Sequence, residues 1–218
     1  MAKDRVIFFC AHPDDESLGA GGTIAKYVKE GKQVMVVSFT YAVLSHTWLK
    51  KHVTRDMRKK ELENAQKVLG FQKHLYLELS ESKFLEEAKE KNIQNEIIRM
   101  ITKFKPSKIF THAPEDRDPI SDDHRAVNKI VMEAVEAMGY KGDVYGFGVW
   151  NPFSFKRTDY PKLYVDITDT FKIKLEALRN YPSQWSSMIL LLWTVYARAI
   201  LAGIAYGVKF AERFYKLK

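Results

Sequence analysis

A histidine and three carboxylates follow the first apolar run of the chain, where packing gives no reason for them. Residues 6–11 are apolar, and the chain continues as His12, Pro13, Asp14, Asp15 and Glu16. Because a proline restricts the preceding residue to extended backbone and stiffens the turn, an imidazole and two carboxylates can be held together here at little cost in entropy. His12 and Asp15 offer a nitrogen and an oxygen, two of the three protein ligands that a catalytic zinc typically takes.

A second polar segment comes after a later apolar run, at 108–112. It consists of Ser121, Asp122, Asp123 and His124. His124 is the best candidate for the third ligand, because the carboxyl ends of parallel strands meet at one edge of a sheet. A metal ion held by His12, Asp15 and His124 would lower the pKa of a bound water to about 7. Asp14 is not needed as a ligand, so it can take the proton as that water attacks a carbonyl.

The elements that must position these residues alternate between short β-rich runs and longer segments of helical period, which is typical of an α/β protein. Gly70 ends one predicted helix, and Lys105 with Pro106 ends the next. Strands are predicted at 6–11, 34–40, 74–78, 108–112, 144–149 and 163–167, and helices at 22–30, 55–69, 85–104 and 123–138. Both polar segments then follow strand ends, where ligands bind in such sheets.

Composition indicates one soluble globular domain over residues 1–218. The chain is 46% hydrophobic and 28% charged, with a net charge of +8. The basic residues are interspersed with acidic ones as on a solvated helix face, so we expect no nucleic-acid partner. Cys10 is the single cysteine, which excludes an intrachain disulfide and favours a reducing compartment. The N-terminal residues lack the pattern of a signal peptide, so we expect a cytoplasmic protein.

The C-terminal stretch at 188–208 is nearly all apolar, with Arg198 as its one charge. Its length would permit a membrane span, but a charge at the centre and the residues Lys209, Glu212 and Arg213 beyond it argue against one. We therefore expect one apolar helix over about 185–215, buried or used as an interface in a homo-oligomer. Contact with a membrane surface would use the same residues and the positive charge.

The run AHPDDE at 11–16 resembles the signature of the PIG-L/LmbE-like family of zinc-dependent N-acetylglucosaminyl deacetylases. Later segments carry further parts of the family pattern, so the resemblance extends over nearly the whole chain. They are a helix with Arg58, Glu61, Ala65, Leu69 and Gly70; the segments 114–117 and 123–126; and two C-terminal groups, Lys174, Ala177, Leu178, Ser183 and Gln184, then Ala197, Arg198, Gly203, Ala211, Glu212 and Phe214.

The resemblance implies a Rossmann-like fold, with a mostly parallel sheet and helices on both faces. It gives His12, Asp15 and His124 the role of zinc ligands and Asp14 that of general base, in agreement with the chemistry inferred above. It further implies that Arg58 contacts substrate hydroxyls. The substrates it implies are N-acetylglucosamine units on glycolipids, disaccharides or small thiol glycosides.

The sequence departs from the family pattern at one catalytic position. Many members have His-Pro-Asp-His in the second segment, and the first of these histidines donates to the developing oxyanion or protonates the leaving amine. Ser121 occupies that position here. His112 is a possible substitute, although as a strand-end residue it is equally well explained as a capping or core histidine.

Gly19, Gly21 and Gly22 do not have the spacing of a dinucleotide-binding loop, so we interpret them as room for a helix to approach the sheet. The aromatic stretch at 150–155 is either a sugar-stacking wall or a packing element. Loops at 41–54 and 151–158 are expected to set specificity.

Three other functions remain open from the sequence. One is an iron(II) oxygenase that uses His12, Asp14 and His124. The second is an amidase acting on another acylated amine or thiol conjugate. The third is a self-associating binding module without catalysis.

Overall fold

The fold is built on a mostly parallel β-sheet flanked by helices. The computed structural model describes residues 4–116, 122–149 and 160–218. Its strands are β1 (Arg5–Cys10), β2 (Gln33–Thr40), β3 (Lys73–Leu79), β4 (Lys108–His112), β5 (Asp143–Phe147), β6 (Lys162–Asp166) and β7 (Ala211–Lys216). Its α-helices are α1 (Asp15–Lys29), α2 (Lys51–Leu69), α3 (Phe84–Glu90), α4 (Ile93–Phe104), α5 (Asp123–Ala137), α6 (Phe171–Leu178) and α7 (Trp185–Tyr206).

The strand order across the sheet is β3-β2-β1-β4-β5-β7-β6. Strands β1 to β5 pair in parallel, and β7 pairs antiparallel with both β5 and β6. The order reverses between β1 and β4, and in open α/β sheets the ligand crevice lies outside the carboxyl ends of the strands at such a point. The two polar segments of the sequence follow these two strands.

Both faces of the sheet are covered, and β1 divides its side chains between them. Val6, Phe8 and Cys10 pack into the core formed with α1, α2, α6 and α7. Ile7 and Phe9 pack into the core formed with α3, α4 and α5. The alternation follows from the two-residue period of a strand, and burial on both faces explains why the parallel strands are continuous apolar runs. The predicted Rossmann-like α/β class is confirmed.

The six predicted strands are present with ends shifted by one or two residues. The predicted helix at 22–30 begins earlier, at Asp15, because the carbonyl of Asp14 accepts the amides of Ser17 (3.0 Å) and Leu18 (2.9 Å). The predicted helix at 85–104 is two helices, α3 and α4. Asn92 separates them in the left-handed conformation with φ of 51°, which asparagine tolerates better than most residues.

The expected C-terminal helix over about 185–215 is wrong beyond residue 206. Gly207 ends α7 with φ of 81°, and its amide bonds to the carbonyl of Gly203, as in a common helix C-cap. Residues Ala211–Lys216 then form β7 inside the sheet. Glu212 and Arg213, interpreted above as a continuing helix, are strand residues. Among the described residues, Pro182–Tyr206 is the one helix that by length and composition is apolar enough to cross a membrane, and 39% of its most apolar 18 residues are buried.

The interpretation of the glycines in α1 as room for close packing is confirmed. A Cβ at Gly22 would lie 2.8 Å from Ile167 Cδ1, and a Cβ at Gly19 would collide with the ring of Phe147. Helix α1 therefore lies directly against the sheet, and this holds its first turn beside the carboxyl end of β1.

Candidate metal centre and active site

The turn after β1 is held in a strained conformation by its own side chains. Asp14 has φ of 111°, and a residue other than glycine in such a region costs about 1–3 kcal/mol. Its amide donates to Glu16 Oε2 at 3.0 Å. The other oxygen of Glu16 accepts the hydroxyls of Ser17 (2.6 Å) and Tyr181 (2.5 Å). Burial raises the pKa of Glu16 although these hydroxyls oppose it.

The structure brings the three predicted metal ligands together. One donor atom from each of His12, Asp15 and His124 lies within 4.8 Å of the others. Asp15 stands between the two rings: its Oδ2 is 3.7 Å from His12 Nδ1, and its Oδ1 is 3.4 Å from His124 Nε2. Asp15 and His124 are buried, whereas the His12 side chain is 14% exposed. The two sequence-distant segments therefore converge as expected.

A carboxylate fixes the far nitrogen of each imidazole. His12 Nε2 lies 3.1 Å from Asp123 Oδ2, and His124 Nδ1 lies 2.9 Å from Asp116 Oδ2. With those nitrogens engaged, His12 Nδ1 and His124 Nε2 are directed toward Asp15. Histidines that bind metals are typically oriented in this way by a carboxylate on the other ring nitrogen. Two imidazoles and one carboxylate are also a usual donor set for catalytic zinc, so the residues present fit such an ion.

The charges at this cluster favour a cation. Although burial opposes it, Asp15 and Asp116 raise the pKa of His124 well above its ordinary value. Burial alone would raise the carboxyl pKa of Asp15. The facing rings of His124 and His112 have the larger effect and hold that pKa well below its usual range. A divalent ion at the same place would satisfy the carboxylate in the way that a protonated imidazole does.

His112, Asp116 and His124 form a second group of possible ligands, but their atoms are engaged with the protein. His112 is fully buried; its Nδ1 lies 3.0 Å from Asp116 Oδ2, and its Nε2 accepts the amide of Ala11 at 3.1 Å. The second oxygen of Asp116 accepts the amide of Val149 at 2.9 Å. Against the effect of burial, His112 and His124 lower the pKa of Asp116. The group is a hydrogen-bonded support for His124 rather than an open site.

Asp14 adjoins Asp15 in the chain, and its carboxylate is held by an arginine. Its Oδ2 accepts from Arg58 Nη2 at 2.8 Å, and the same nitrogen bonds to the carbonyl of Pro13. Arg58 Nη1 donates to Glu61 Oε2 at 2.9 Å. Burial raises the pKa of Asp14 to about 7 and Asp15 adds to this, whereas Arg58 opposes it. A carboxylate with such a pKa is suited to accept and return a proton near neutral pH.

The remaining site predictions are not tested by the structure. Ser121 and the loop at 151–158 lie outside the described residues, as does the aromatic stretch at 150–155. Arg58 is 1% exposed and its terminal nitrogens contact protein groups, so its contact with substrate hydroxyls stays a prediction. The substitute role of His112 also stays a prediction: its ring is fully buried, and its Nε2 lies 3.2 Å from Oδ2 of the predicted ligand Asp15.

The geometry also separates the two possible carboxylate ligands. The oxygenase interpretation needs Asp14 beside His12 and His124, but Asp15 is the carboxylate that approaches both rings. Asp14 is held by Arg58 instead. This arrangement favours a base next to a metal centre over a facial triad that includes Asp14.

Several residues of the site had no role in the sequence-based account. Asp116 and Asp123 support the two histidines, and Tyr181 bonds to Glu16 from 165 positions away. Glu61 forms an ion pair with Arg58 on the same face of α2. Their spacing of three residues in a predicted helix could have indicated this pair from the sequence. No local pattern indicates the pairing of Tyr181 with Glu16.

A Rossmann-like sheet that carries a His-Asp-His cluster and a neighbouring carboxylate at its strand ends defines a metal-dependent hydrolase. The chain belongs to the PIG-L family: the family model described as "PIG-L: GlcNAc-PI de-N-acetylase" matches residues 7–135. The resemblance stated from the sequence is thereby confirmed.

Two relatives extend the comparison over most of the chain. The diacetylchitobiose deacetylase of Thermococcus kodakarensis is 28% identical, over 96% of this chain and 80% of that protein. The structure of the N,N'-diacetylchitobiose deacetylase from Pyrococcus horikoshii, complexed with an inhibitor, has a TM-score of 0.80 and 25% identity, covering 98% of this chain and 84% of that chain.

The same fold also carries other chemistry. GalB, the 4-carboxy-2-hydroxymuconate hydratase from Pseudomonas putida, has a TM-score of 0.80 and 20% identity, covering 99% of this chain and 96% of that chain. The fold alone therefore does not select the reaction, and the argument for function must come from the site.

Proposed function

We propose that this protein is a zinc-dependent hydrolase that removes the N-acetyl group from an N-acetylglucosamine-type amino sugar or its conjugate. One arrangement carries the proposal: His12, Asp15 and His124 come together as possible metal ligands, whereas the carboxylate of Asp14, which adjoins Asp15 in the chain, is held by Arg58. An open metal centre with an adjacent general base is the arrangement that hydrolysis of an amide requires.

The donor set supports zinc as the metal. Two imidazole nitrogens and one carboxylate oxygen, each imidazole backed by a second carboxylate, are typical of catalytic zinc sites that keep a position open. When bound, zinc supplies a Lewis acid that polarises the amide carbonyl and acidifies water.

The protein's own residues handle the protons. Asp14 takes a proton from the attacking water as the bond between water oxygen and carbonyl carbon forms. Arg58 keeps the Asp14 carboxylate in place through the 2.8 Å contact. When the carbon–nitrogen bond breaks, Asp14 returns that proton to the leaving nitrogen, so that the products are acetate and the free amine.

The class of substrate follows from the relatives and the family. The relatives named above include diacetylchitobiose deacetylases, and the family model is described as a GlcNAc-PI de-N-acetylase. An acetylated amino sugar is common to these names. The loops at 41–54 and 151–158 would select the sugar's aglycone, and the second of them lies outside the described residues.

Acetate release from a panel of N-acetylglucosaminides tests the proposal. The zinc-loaded protein is incubated with N-acetylglucosamine, diacetylchitobiose and a lipid-linked and a thiol-linked N-acetylglucosaminide, and free acetate and free amine are measured. We expect equimolar acetate and amine from at least one of them. If none yields acetate but another acylated amine or thiol conjugate does, the chain is an amidase of different specificity.

Cytoplasmic location stays a prediction, which fractionation of cells with an antibody to the chain would check.

A further inference from the structure

One side of α7 is apolar and exposed along its whole length. Its buried side packs Met188, Leu191 and Val195 into the core. The opposite side, which we call the outer face of α7, includes Trp185, Ile189, Leu190, Trp193, Leu201 and Ile204, each between 50% and 72% exposed. Single exposed apolar side chains are ordinary, but a contiguous row of this length marks an interaction surface.

The helix is fixed to the protein on its inner side, so it cannot simply leave to span a bilayer. Arg198 donates through Nη1 to the carbonyl of Gly148 at 2.6 Å. A Cβ at Gly203 would lie 2.7 Å from the carbonyl oxygen of Lys209, which shows how closely α7 packs on the chain that follows it. A partner must therefore meet the outer face from outside.

Basic residues lie near both ends of the outer face, Arg179 before α7 and the exposed Lys209 and Arg213 after it. No aspartate or glutamate occurs between Glu176 and Glu212, and Glu212 is buried in an ion pair with Lys174. Arg179 lines the same groove as Trp185 at the start of α7. At the other end of α7, Tyr206 stacks on Tyr164 of β6. Tyr164 pairs with Arg213 of β7, which places this exposed arginine near the end of the helix.

This distribution distinguishes between the two obvious occupants. α7 itself has no carboxylate, so a second copy that used the same face could pair these basic residues only with carboxylates of other elements, such as Glu176 and Glu115. An anionic lipid surface offers both an apolar interior and negative head groups. Tryptophan and tyrosine rings near the ends of an apolar helix, with lysine or arginine beside them, are typical of the membrane interface.

A groove between α6 and α7 fits a lipid chain. It has a volume of about 210 Å³, and its lining in the described part of the chain is apolar except for Arg179. Leu175 and Leu178 form one wall, and Met188 and Leu192 form the other. An acyl chain would fill such a groove, and the guanidinium beside it would meet a phosphate.

We propose that the outer face of α7 docks this protein on the surface of an anionic lipid bilayer, with the helix lying in the plane of the interface. The self-association expected from the same stretch then becomes the competing outcome. The inference does not depend on the deacetylase activity.

Sedimentation with lipid vesicles tests this inference. The full-length protein is mixed with phosphatidylcholine vesicles prepared with and without phosphatidylglycerol. We expect the protein to sediment with the anionic vesicles, and added salt to release much of it because the attraction of the basic residues is screened. Absence of binding to anionic vesicles at low salt would overturn the inference.

Matched variants distinguish the outer face from other exposed apolar residues. The double variant Leu190→Glu with Ile204→Glu should bind vesicles about a hundredfold more weakly, because it adds two like charges to the docking surface and removes apolar contact. The control, Leu75→Glu with Leu85→Glu, adds the same charge at sites 44% and 53% exposed elsewhere and should bind within about twofold of wild type. Equal loss in both variants would contradict the assignment of the face.

Two further measurements keep the test decisive. Light scattering measures the oligomeric state of the wild type and of the outer-face variant. If the wild type is an oligomer that the variant dissociates, and the wild type does not bind vesicles, the occupant of the face is a second copy. Quenching of tryptophan fluorescence by brominated lipid uses the unaltered protein, and we expect it because Trp185 and Trp193 are 59% and 50% exposed on this face. Lack of quenching in protein that sediments with vesicles would overturn the inference.

Discussion

Asp116 Oδ2 lies 2.9 Å from His124 Nδ1, and this contact decides which nitrogen of that ring faces the metal cluster. An ionised carboxylate only accepts hydrogen bonds, so Nδ1 carries the proton. The other nitrogen, Nε2, then points toward Asp15 Oδ1 at 3.4 Å. The same carboxylate oxygen holds His112 at 3.0 Å, so one buried group fixes two rings.

Replacing Asp116 by asparagine should weaken zinc binding by about 10–100-fold, because the amide cannot accept from both rings with the same strength. Titration of the apoprotein against a zinc chelator of known affinity measures the change without reference to activity. Glu115→Gln removes the neighbouring carboxylate and serves as the control. Equal zinc affinity in Asp116→Asn and wild type would contradict the supporting role of Asp116.

Arg58→Met should lower the free energy of unfolding by about 3–5 kcal/mol, because it leaves the buried carboxylates of Asp14 and Glu61 without their partner. Arg58 is 1% exposed. The matched control is Arg55→Met on the same helix, where the ion pair with Asp56 is exposed and its removal should cost under about 1 kcal/mol. Urea unfolding monitored by circular dichroism compares the two, and similar costs would show that the Arg58 cluster is not a buried network.

Gly22→Ala should destabilise the protein by about 1–3 kcal/mol, although alanine is the better helix former. The added methyl group would lie 2.8 Å from Ile167 Cδ1. The loss should be smaller in an Ile167→Ala background, because alanine lacks the Cδ1 and Cγ2 atoms that would lie 2.8 and 2.9 Å from the new methyl group. A double-mutant cycle by thermal unfolding measures the coupling. Strict additivity of the two substitutions would mean that α1 does not depend on this close approach.

His74 should make the protein less stable in mild acid. Burial, with a smaller contribution from Lys59, lowers the pKa of His74 to about 4, whereas an unfolded histidine titrates near 6.5. The unfolded chain therefore binds more protons between these values, so stability is complete above about pH 6.5 and falls as the pH drops toward 4. At pH 5 the loss is about 2 kcal/mol.

Urea unfolding of wild type and His74→Gln at pH 8 and pH 5 measures this contribution. Glutamine keeps a polar group near Ser38 Oγ, which lies 3.1 Å from the His74 ring nitrogen, and does not titrate. Between pH 8 and pH 5 the free energy of unfolding of the wild type should fall by about 2 kcal/mol more than that of His74→Gln. Parallel losses in the two proteins would show that His74 does not titrate with a lowered pKa.

The sequence was informative where the determining pattern is local. Strand β1 and the HPDDE turn adjoin in the chain, and His124 is the second residue of α5, directly after Asp123. Their placement at one edge of the sheet follows from parallel topology. Two of the three proposed ligands and the proposed base lie within four residues of one another, so their proximity needs no knowledge of the fold.

The sequence was uninformative where distant residues decide the outcome. Strand β7 forms because Glu212 and Phe214 are buried between β5, β6 and α1, and its charged residues looked like a helix surface. Asp116 acquires its role only when β4 and α5 converge on it. The lateral packing of α7 likewise depends on Gly203, whose close approach to Lys209 no hydropathy pattern shows.

The most direct test of the account is acetate release per bound zinc in Asp14→Asn, measured on the substrate that the wild type cleaves. The account predicts that this variant retains equimolar zinc through His12, Asp15 and His124, while acetate release falls by about 10²–10⁴-fold because the base is gone. Loss of zinc together with activity would make Asp14 a ligand, and undiminished release with zinc in place would remove it from the chemistry; either result contradicts the proposed division between three ligands and one base.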